Sequence, residues 1–146
     1  SAGDPLPSMR YLAKELRIEG AVDFLGYRTG DELLRAMSTF DIGVVPDPKS
    51  EYNDKCTMNK VLEYMALGIP LVQFDLDEGR RSAGDAAVYA GTDNDPRHLA
   101  AAIVELADDP ERRARLGETG RRRMEEELEW RHQAPQLLEA YREVTR

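Results

Sequence analysis

Hydrophobic positions recur along this chain in two patterns, one typical of amphipathic helices and one typical of buried strands. The clearest helical pattern, with apolar residues at i, i+3, i+4 and i+7, consists of Met58, Val61, Leu62 and Met65. This stripe predicts a helix that packs one face on a core, with Thr57 as its N-cap and Gly68 just past its end. The apolar run at residues 71–74 then predicts a short buried strand.

The rest of the chain repeats this alternation. Further strands are predicted at residues 22–27, at the continuously apolar run 42–45, and at residues 87–90. Further helices are predicted from Pro7, from Thr29, from Asp95-Pro96, from Asp109-Pro110 and around Trp130 to Val144. Strands that alternate with helices predict an α/β fold, with a Rossmann-like, mainly parallel sheet of about four strands flanked by helices.

Polar connections follow three of the predicted strands. Ligands of parallel sheets bind at the carboxyl ends of the strands, which here lead into residues 28–30, 46–56 and 75–81. The predicted helix start at residues 57–60 opens on the same edge. The 46–56 connection is longer than the roughly two to six residues usual in an α/β unit. Both a functional lid and plain flexibility are consistent with that length.

The start of the central helix also has candidate chemistry. Asn59, Lys60 and Glu63 share one face there. Free N–H groups, a cation and a carboxylate one turn along suit a phosphorylated, hydroxyl-bearing ligand. A surface ion pair between Lys60 and Glu63 at i, i+3 explains the same spacing equally well. Arg80 and Arg81, in the connection after residue 74, allow either a phosphate contact or ion pairs with Glu78.

Composition narrows the classes of function. The 146 residues fit a single domain, 1–146, and no run approaches the roughly 18–20 apolar residues of a membrane span. The formal net charge of −8 argues against binding of nucleic acid or of an anionic membrane. Arg121 to Arg123 precede three glutamates, an alternation typical of a solvated helix face. Because Cys56 is the single cysteine, we predict no disulfide framework and a cytoplasmic setting.

Other catalytic and metal-binding patterns are not found in the sequence. No spacing of histidine, cysteine and carboxylate residues indicates a metal site. His98 and His132 lie in helical patterns away from the predicted connections, and solvated or capping roles are predicted for them. Neither the glycine-rich dinucleotide motif nor a P-loop is present.

Three segments share a pattern with a known enzyme family. They are Phe24-Leu25-Gly26-Tyr27, Asp41-Ile42-Gly43-Val44-Val45-Pro46 and Asn59-Lys60-x-x-Glu63-Tyr64-Met65-Ala66-x-Gly68-x-Pro70. Together they resemble the C-terminal, nucleotide-sugar-binding domain of the group 1 (family 4) retaining glycosyltransferases, which have the GT-B fold. Gly3-Asp4-x-x-Pro7 is similar to a further segment of that domain.

The resemblance implies an enzyme of two Rossmann-like domains with its active site between them. It implies transfer of a sugar from a nucleoside diphosphate donor with retention of anomeric configuration, and neither a metal nor another cofactor. It identifies no catalytic residue in this chain. The residues that match the family's donor-binding positions are Tyr27 and Arg28 beside the base, Thr57, Met58, Asn59 and Lys60 at the diphosphate, and Glu63 at the ribose hydroxyls.

The chain departs from the family pattern at one motif position. The first glutamate of the Glu-x7-Glu motif would stand at position 55, where this chain has Lys55. The segment from Thr57 to Glu63 is closer to the Ser-Pro-x-Lys-x-x-Glu version of some branches. Asp54 is a candidate substitute for the contacts of the missing glutamate to the donor sugar.

The second departure is length, because the family's acceptor domain and the first strand of its donor domain would precede Ser1. We therefore expect residues 1–146 to be a C-terminal donor-binding fragment, half of a GT-B enzyme, that is inactive alone. Its expected partners are the nucleotide-sugar donor and the missing N-terminal acceptor domain, and we also expect a dimer through the truncated edge. The alternative is a non-catalytic α/β binding or scaffolding module.

Overall fold

The computed structural model describes residues 6–144, which fall into two compact units that divide between Leu34 and Arg35. The first unit contains α1 (Leu6–Glu15), a 3-10 turn at Glu19–Ala21 and the start of α2 (Gly30–Met37). The single domain expected from the chain length stays a prediction. Gly3 and Asp4, which contribute to one of the family-like segments, lie outside the described residues.

A small parallel sheet forms the centre of the second unit. It consists of β1 (Gly43–Val45), β2 (Leu71–Gln73) and β3 (Ala87–Tyr89), in the spatial order β1–β2–β3. Leu71 pairs with Gly43 on one side and with Ala87 on the other. All three residues of the central strand are buried, as expected for a strand covered on both faces.

Five helices of the described chain follow β1, between and after the strands of the sheet. They are α3 (Asn59–Ala66), α4 (Asp77–Ala83), α5 (Pro96–Ala107), α6 (Pro110–Arg123) and α7 (Trp130–Val144), with 3-10 turns at Asn53–Lys55 and Gly84–Ala86 and a π-helical turn at Met124–Leu128. Asp95 and Asp109 cap α5 and α6 as predicted: their carboxylates accept the N–H of Arg97 at 2.9 Å and of Arg112 at 2.8 Å.

Two buried clusters lie on opposite faces of the sheet. The cluster on the side of α3 and α4 comprises Val45, Val61, Met65, Leu71, Ala83, Ala86 and Ala87. The cluster on the side of α5 comprises Val72, Phe74, Ala90, Leu99, Ala102 and Leu106. Adjacent residues of a strand face opposite sides, so Leu71 and Val72 contribute to different clusters. The expected α/β fold, a parallel sheet flanked by helices, is therefore confirmed.

The predicted strand at residues 22–27 is wrong, and the sheet has three strands rather than about four in the described part of the chain. Val22 and Phe24 are partly buried while Asp23 and Leu25 are exposed, so the expected alternation is present. A strand also needs a neighbour for its backbone hydrogen bonds. Within residues 6–34, no second extended segment provides one.

Helix α4 is not predicted by the sequence, which indicates a polar connection at residues 75–81. The residues that α4 buries are small, Gly79, Ser82 and Ala83, so they make no hydrophobic stripe. One available signal was charge: Asp77 and Glu78 stand in its first turn, whereas Arg80 and Arg81 stand in its last. This distribution complements the helix dipole.

Helices α3 and α6 pack closely through glycine. Gly68, just past the end of α3, has a positive φ of 70°, which confirms the predicted helix end. A Cβ added to Gly117 of α6 would lie 2.2 Å from the carbonyl oxygen of Gly68. Glycine at position 117 is therefore required for this approach of α6 to the turn before β2.

The apolar stripe of α7 forms a helix but is not covered. No residue of α7 is buried, and Trp130, Leu138 and Tyr141 are each more than half exposed. Pro135, predicted either to kink this helix or to begin it, lies inside it. None of the helices described combines the length and apolar character that crossing a membrane requires.

Candidate functional site

The candidate site is the amino end of α3, which follows β1 and therefore lies at the carboxyl edge of the sheet. The helix begins at Asn59, and Met58 is its N-cap residue, with extended backbone angles of −86° and 112°. Its first N–H groups, beginning at Asn59 and Lys60, have no acceptor within the helix. These groups are therefore available to an anionic ligand.

The prediction that Thr57 caps this helix is wrong. Met58 occupies the cap position, and no side chain caps the helix there. The hydroxyl group of Thr57 instead donates a hydrogen bond of 2.9 Å to the Glu78 carboxylate of α4. Bonds to a charged acceptor are stronger than bonds to a neutral one, which favours this partner over the helix N–H groups. Thr57 consequently ties the chain before α3 to α4.

Lys60 and Glu63 have different surroundings, although they share a helix face. The Lys60 ammonium pairs with the carboxylate of Asp47, two residues after β1, and their side chains are 39% and 26% exposed. Glu63 is exposed, and its carboxylate has no hydrogen bond or ion pair with any residue among 6–144. The alternative of a surface pair between Lys60 and Glu63 is therefore wrong.

The long connection at residues 46–56 is held by Lys49. The Lys49 ammonium donates to the Asp54 carboxylate at 2.9 Å, to the Asp75 carbonyl at 3.1 Å and to the Asp77 carboxylate at 3.2 Å. The backbone N–H and C=O of Lys49 both bond the side-chain amide of Asn94. Three connections, those after β1, β2 and β3, are thus joined at this edge of the sheet.

The charge state of Asp54 follows from these contacts. The hydrogen bond from Lys49 and the bond from the Asp77 N–H at 3.1 Å hold the pKa of the Asp54 carboxyl below its usual value. The same carboxylate raises the pKa of Lys49. Because Asp54 already accepts these bonds, its role in the structure is to order the connection.

Arg80 and Arg81 both form ion pairs. Arg80 makes a bidentate pair with Asp75, and its guanidinium lies 4.2 Å from the ring centroid of Tyr89. Arg81 approaches Glu78 at 3.7 Å. Ion pairs are therefore observed for both arginines, but the predicted partner Glu78 is correct for Arg81 only, because Arg80 pairs with Asp75.

The two residues expected beside the base belong to the first compact unit. Tyr27 is 92% exposed, and Arg28 pairs with Glu32 at 3.3 Å within that unit. The remaining predicted site residues, Thr57, Met58, Asn59, Lys60 and Glu63, lie together in the second unit. Their assignment to particular groups of a ligand stays a prediction.

Sequence reasoning did not identify Asp47, Lys49 or Asn94 as partners of this edge. Asn94 is one of two non-glycine residues with positive φ in the described chain, a local feature typical of asparagine in turns. His98 was expected away from the connections, but its ring lies 3.1 Å from the Asp93 carboxylate after β3. Asp93, Asp95 and His98 form a group of metal-ligand type, although Asp95 already caps α5 and pairs with Arg97.

A family model described as glycosyl transferases group 1 matches residues 2–109. No curated protein matches the chain at a significant level. Among solved structures, sucrose-phosphate synthase from Thermosynechococcus elongatus is similar, with a TM-score of 0.78 and 23% sequence identity over 95% of this chain.

The match to that solved structure covers 34% of its chain, so the present chain spans about a third of its length. At this level of identity the likeness shows a shared fold, the α/β arrangement expected for the GT-B enzymes. The family model covers most of the chain, including β1, the 46–56 connection and α3, which form the candidate site. The chain belongs to the group 1 glycosyltransferases.

Proposed function

We propose that this chain is the donor-binding part of a retaining glycosyltransferase, which transfers a sugar from a nucleoside diphosphate to an acceptor. The supporting observation is the arrangement at the start of α3. Free backbone N–H groups and the Lys60 ammonium lie at the carboxyl edge of the sheet, and the exposed Glu63 carboxylate follows one turn later. This combination suits an anionic group next to a pair of hydroxyl groups.

In this proposal each part of the site has one role. The N–H groups of Asn59 and Lys60 and the Lys60 ammonium bind the diphosphate. The Glu63 carboxylate, which has no other partner among the described residues, accepts bonds from the ribose hydroxyls. Met58 supports the helix start through its backbone. The contact of Tyr27 and Arg28 with the base stays a prediction from the sequence.

In this proposal neither Lys55 nor Asp54 contacts the donor sugar. Lys55 pairs with Glu51 at 2.9 Å, and both side chains are largely exposed. Asp54 is bonded to Lys49 and to the Asp77 N–H. We therefore propose that Asp54 orders the 46–56 connection and does not bind the sugar.

The test is titration of the chain with UDP, GDP, ADP and dTDP, followed by calorimetry or NMR. We expect one of these nucleotides to bind and Glu63→Gln to weaken its affinity by about tenfold or more, the equivalent of one hydrogen bond to a charged group. Lys60→Met should weaken it similarly. Glu118→Gln is the matched control, since Glu118 is an exposed glutamate of α6.

The result that would overturn the proposal is binding that both Glu63→Gln and Lys60→Met leave unchanged. Chemical shift changes confined to residues away from α3 would have the same meaning. Either outcome would favour the non-catalytic α/β module.

Catalysis needs more than the donor-binding part. We propose that the 146-residue chain alone does not transfer sugar, and that an acceptor domain of a longer protein completes the cleft. The proposal includes no metal or other cofactor, and places the enzyme in the cytoplasm. Sugar transfer by the isolated chain, with any nucleotide sugar, would contradict it. A dimer through the truncated edge stays a prediction, checked by sedimentation.

A further inference from the structure

We propose that Lys49 is a positioning residue for the start of α3. It would hold the 46–56 connection so that the segment from Thr57 to Lys60 is already in place when a nucleoside diphosphate arrives. For the ligand, this inference rests on the function proposed above. For the order of the connection, it rests on the contacts of Lys49 alone.

Each hydrogen of the Lys49 ammonium has an acceptor in the structure. An ammonium group has three hydrogens to donate. Here they meet three acceptors: the Asp54 carboxylate, the Asp75 carbonyl and the Asp77 carboxylate, at 2.9, 3.1 and 3.2 Å. The Lys49 side chain is 27% exposed and that of Asp54 only 19%, so water screens this pair less than the open ion pairs of the surface.

Lys49 also joins segments that lie far apart in the sequence. Asp54 lies on its own connection, whereas Asp75 and Asp77 follow β2. Its backbone bonds to Asn94, 45 residues later, add the connection after β3. A residue that bonds all three strand-end connections fixes their relative positions.

The 46–56 connection, which Lys49 holds, leads directly into the candidate site. Asp54 belongs to the 3-10 turn Asn53–Lys55, which is closed by the bond from the Cys56 N–H to the Asn53 carbonyl at 3.1 Å. Thr57 then bonds Glu78 of α4 at 2.9 Å. The chain is thus attached on both sides of Cys56, immediately before the first N–H groups of α3.

The test compares three variants of the 146-residue chain by hydrogen exchange. Lys49→Met and Asp54→Asn each remove the central ion pair. Glu51→Gln is the matched control, because it removes the exposed Lys55–Glu51 pair of the same connection. The reporter amides are those of Asp77, bonded to Asp54, and of Cys56.

We expect these amides to exchange at least about tenfold faster in Lys49→Met and in Asp54→Asn, the factor for one charge-assisted hydrogen bond. In Glu51→Gln the change should stay within about twofold, as for an exposed pair. Equal exchange in Lys49→Met and Glu51→Gln would overturn the inference. This readout needs no ligand, so it separates failure of the inference from failure of the proposed function.

A second readout separates positioning from a general structural role. With UDP, GDP, ADP or dTDP as the probe, whichever binds most tightly, Lys49→Met should weaken affinity at a temperature where the variant is fully folded by circular dichroism. Unchanged affinity of the fully folded variant would overturn the inference. Lys49→Met in an Asp54→Asn background should add little to the loss, because Lys49 acts through its pair with Asp54, and fully additive losses would also overturn the inference.

Discussion

Lys60, the cation of the candidate site, forms an ion pair with Asp47. A neighbouring carboxylate orients an ammonium group, but it also repels a phosphate that approaches the same group. Both side chains are partly exposed, so water weakens the pair. The Lys60 ammonium has further hydrogens to donate, and an incoming diphosphate would compete with Asp47 for them.

The Asp47→Asn variant tests this competition. We expect a nucleoside diphosphate to bind several-fold more tightly, in keeping with the roughly 0.2–1 kcal/mol of an exposed ion pair. Calorimetric titration with the nucleotide that binds the unmodified chain measures the change. Weaker binding would contradict the expectation, because it would mean that Asp47 orients Lys60 rather than competing for it.

Acid stability provides a second prediction at this scale. Lys49 and the Asp77 N–H lower the pKa of the Asp54 carboxyl in the folded chain, whereas in the unfolded chain its pKa has the ordinary value of 3.8. The stabilisation is therefore complete above that value and is lost as the pH falls through the lower, folded value. We expect urea unfolding to show a steeper loss of stability below about pH 4 for the unmodified chain than for Asp54→Asn. Parallel pH profiles would contradict this.

Helix packing gives the prediction at the scale of elements. Gly117→Ala places a methyl group 2.2 Å from the Gly68 carbonyl oxygen, so α6 must move away from the turn after α3. We expect a loss of about 1–3 kcal/mol in the free energy of unfolding, despite the gain of up to about 1 kcal/mol in helix propensity. Gly20→Ala is the control, since nothing lies within 4 Å of its added Cβ. An equal effect of the two substitutions on thermal or urea unfolding would disprove the account.

Elements with a clear hydrophobic period were predictable from the sequence. The runs that became β1, β2 and β3 are apolar because both faces of the sheet are covered. α4 was not predictable from the same signal, because a Cβ at its Gly79 would lie 2.8 Å from Oε1 of Gln73 and only small residues fit there. The segment at residues 22–27 has the alternation of a strand, but pairing depends on a neighbour that local sequence does not specify.

The candidate site was predictable in part, for a similar reason. Asn59, Lys60 and Glu63 share a helix face, and that face follows from the period of the helix. Asp47, the partner of Lys60, lies 13 residues earlier in the chain, and Asn94, a partner of Lys49, lies 45 residues later. Contacts of this kind depend on how loops meet in three dimensions, so Asp47 and Asn94 were not found.

Electrostatics provides the prediction at the scale of the whole molecule. The formal net charge is −8, and the arginines of α6 are largely paired with glutamates, as Arg121 is with Glu125 and Arg123 with Glu127. We expect no binding to a short DNA duplex at physiological salt, measured by fluorescence anisotropy. Binding that weakens steeply as salt rises would contradict this prediction.

The contacts of Lys49 leave the connection between β1 and α3 little freedom to change length, even at its exposed tip. Residues inserted at the tip would separate Lys49 from Asp54. They would also break the bond of 2.9 Å from the Asp54 N–H to the Ser50 carbonyl and the bond of 2.7 Å from the Asn53 side-chain amide to the Pro48 carbonyl. An epitope tag or a fluorescent reporter is therefore better placed outside residues 46–56.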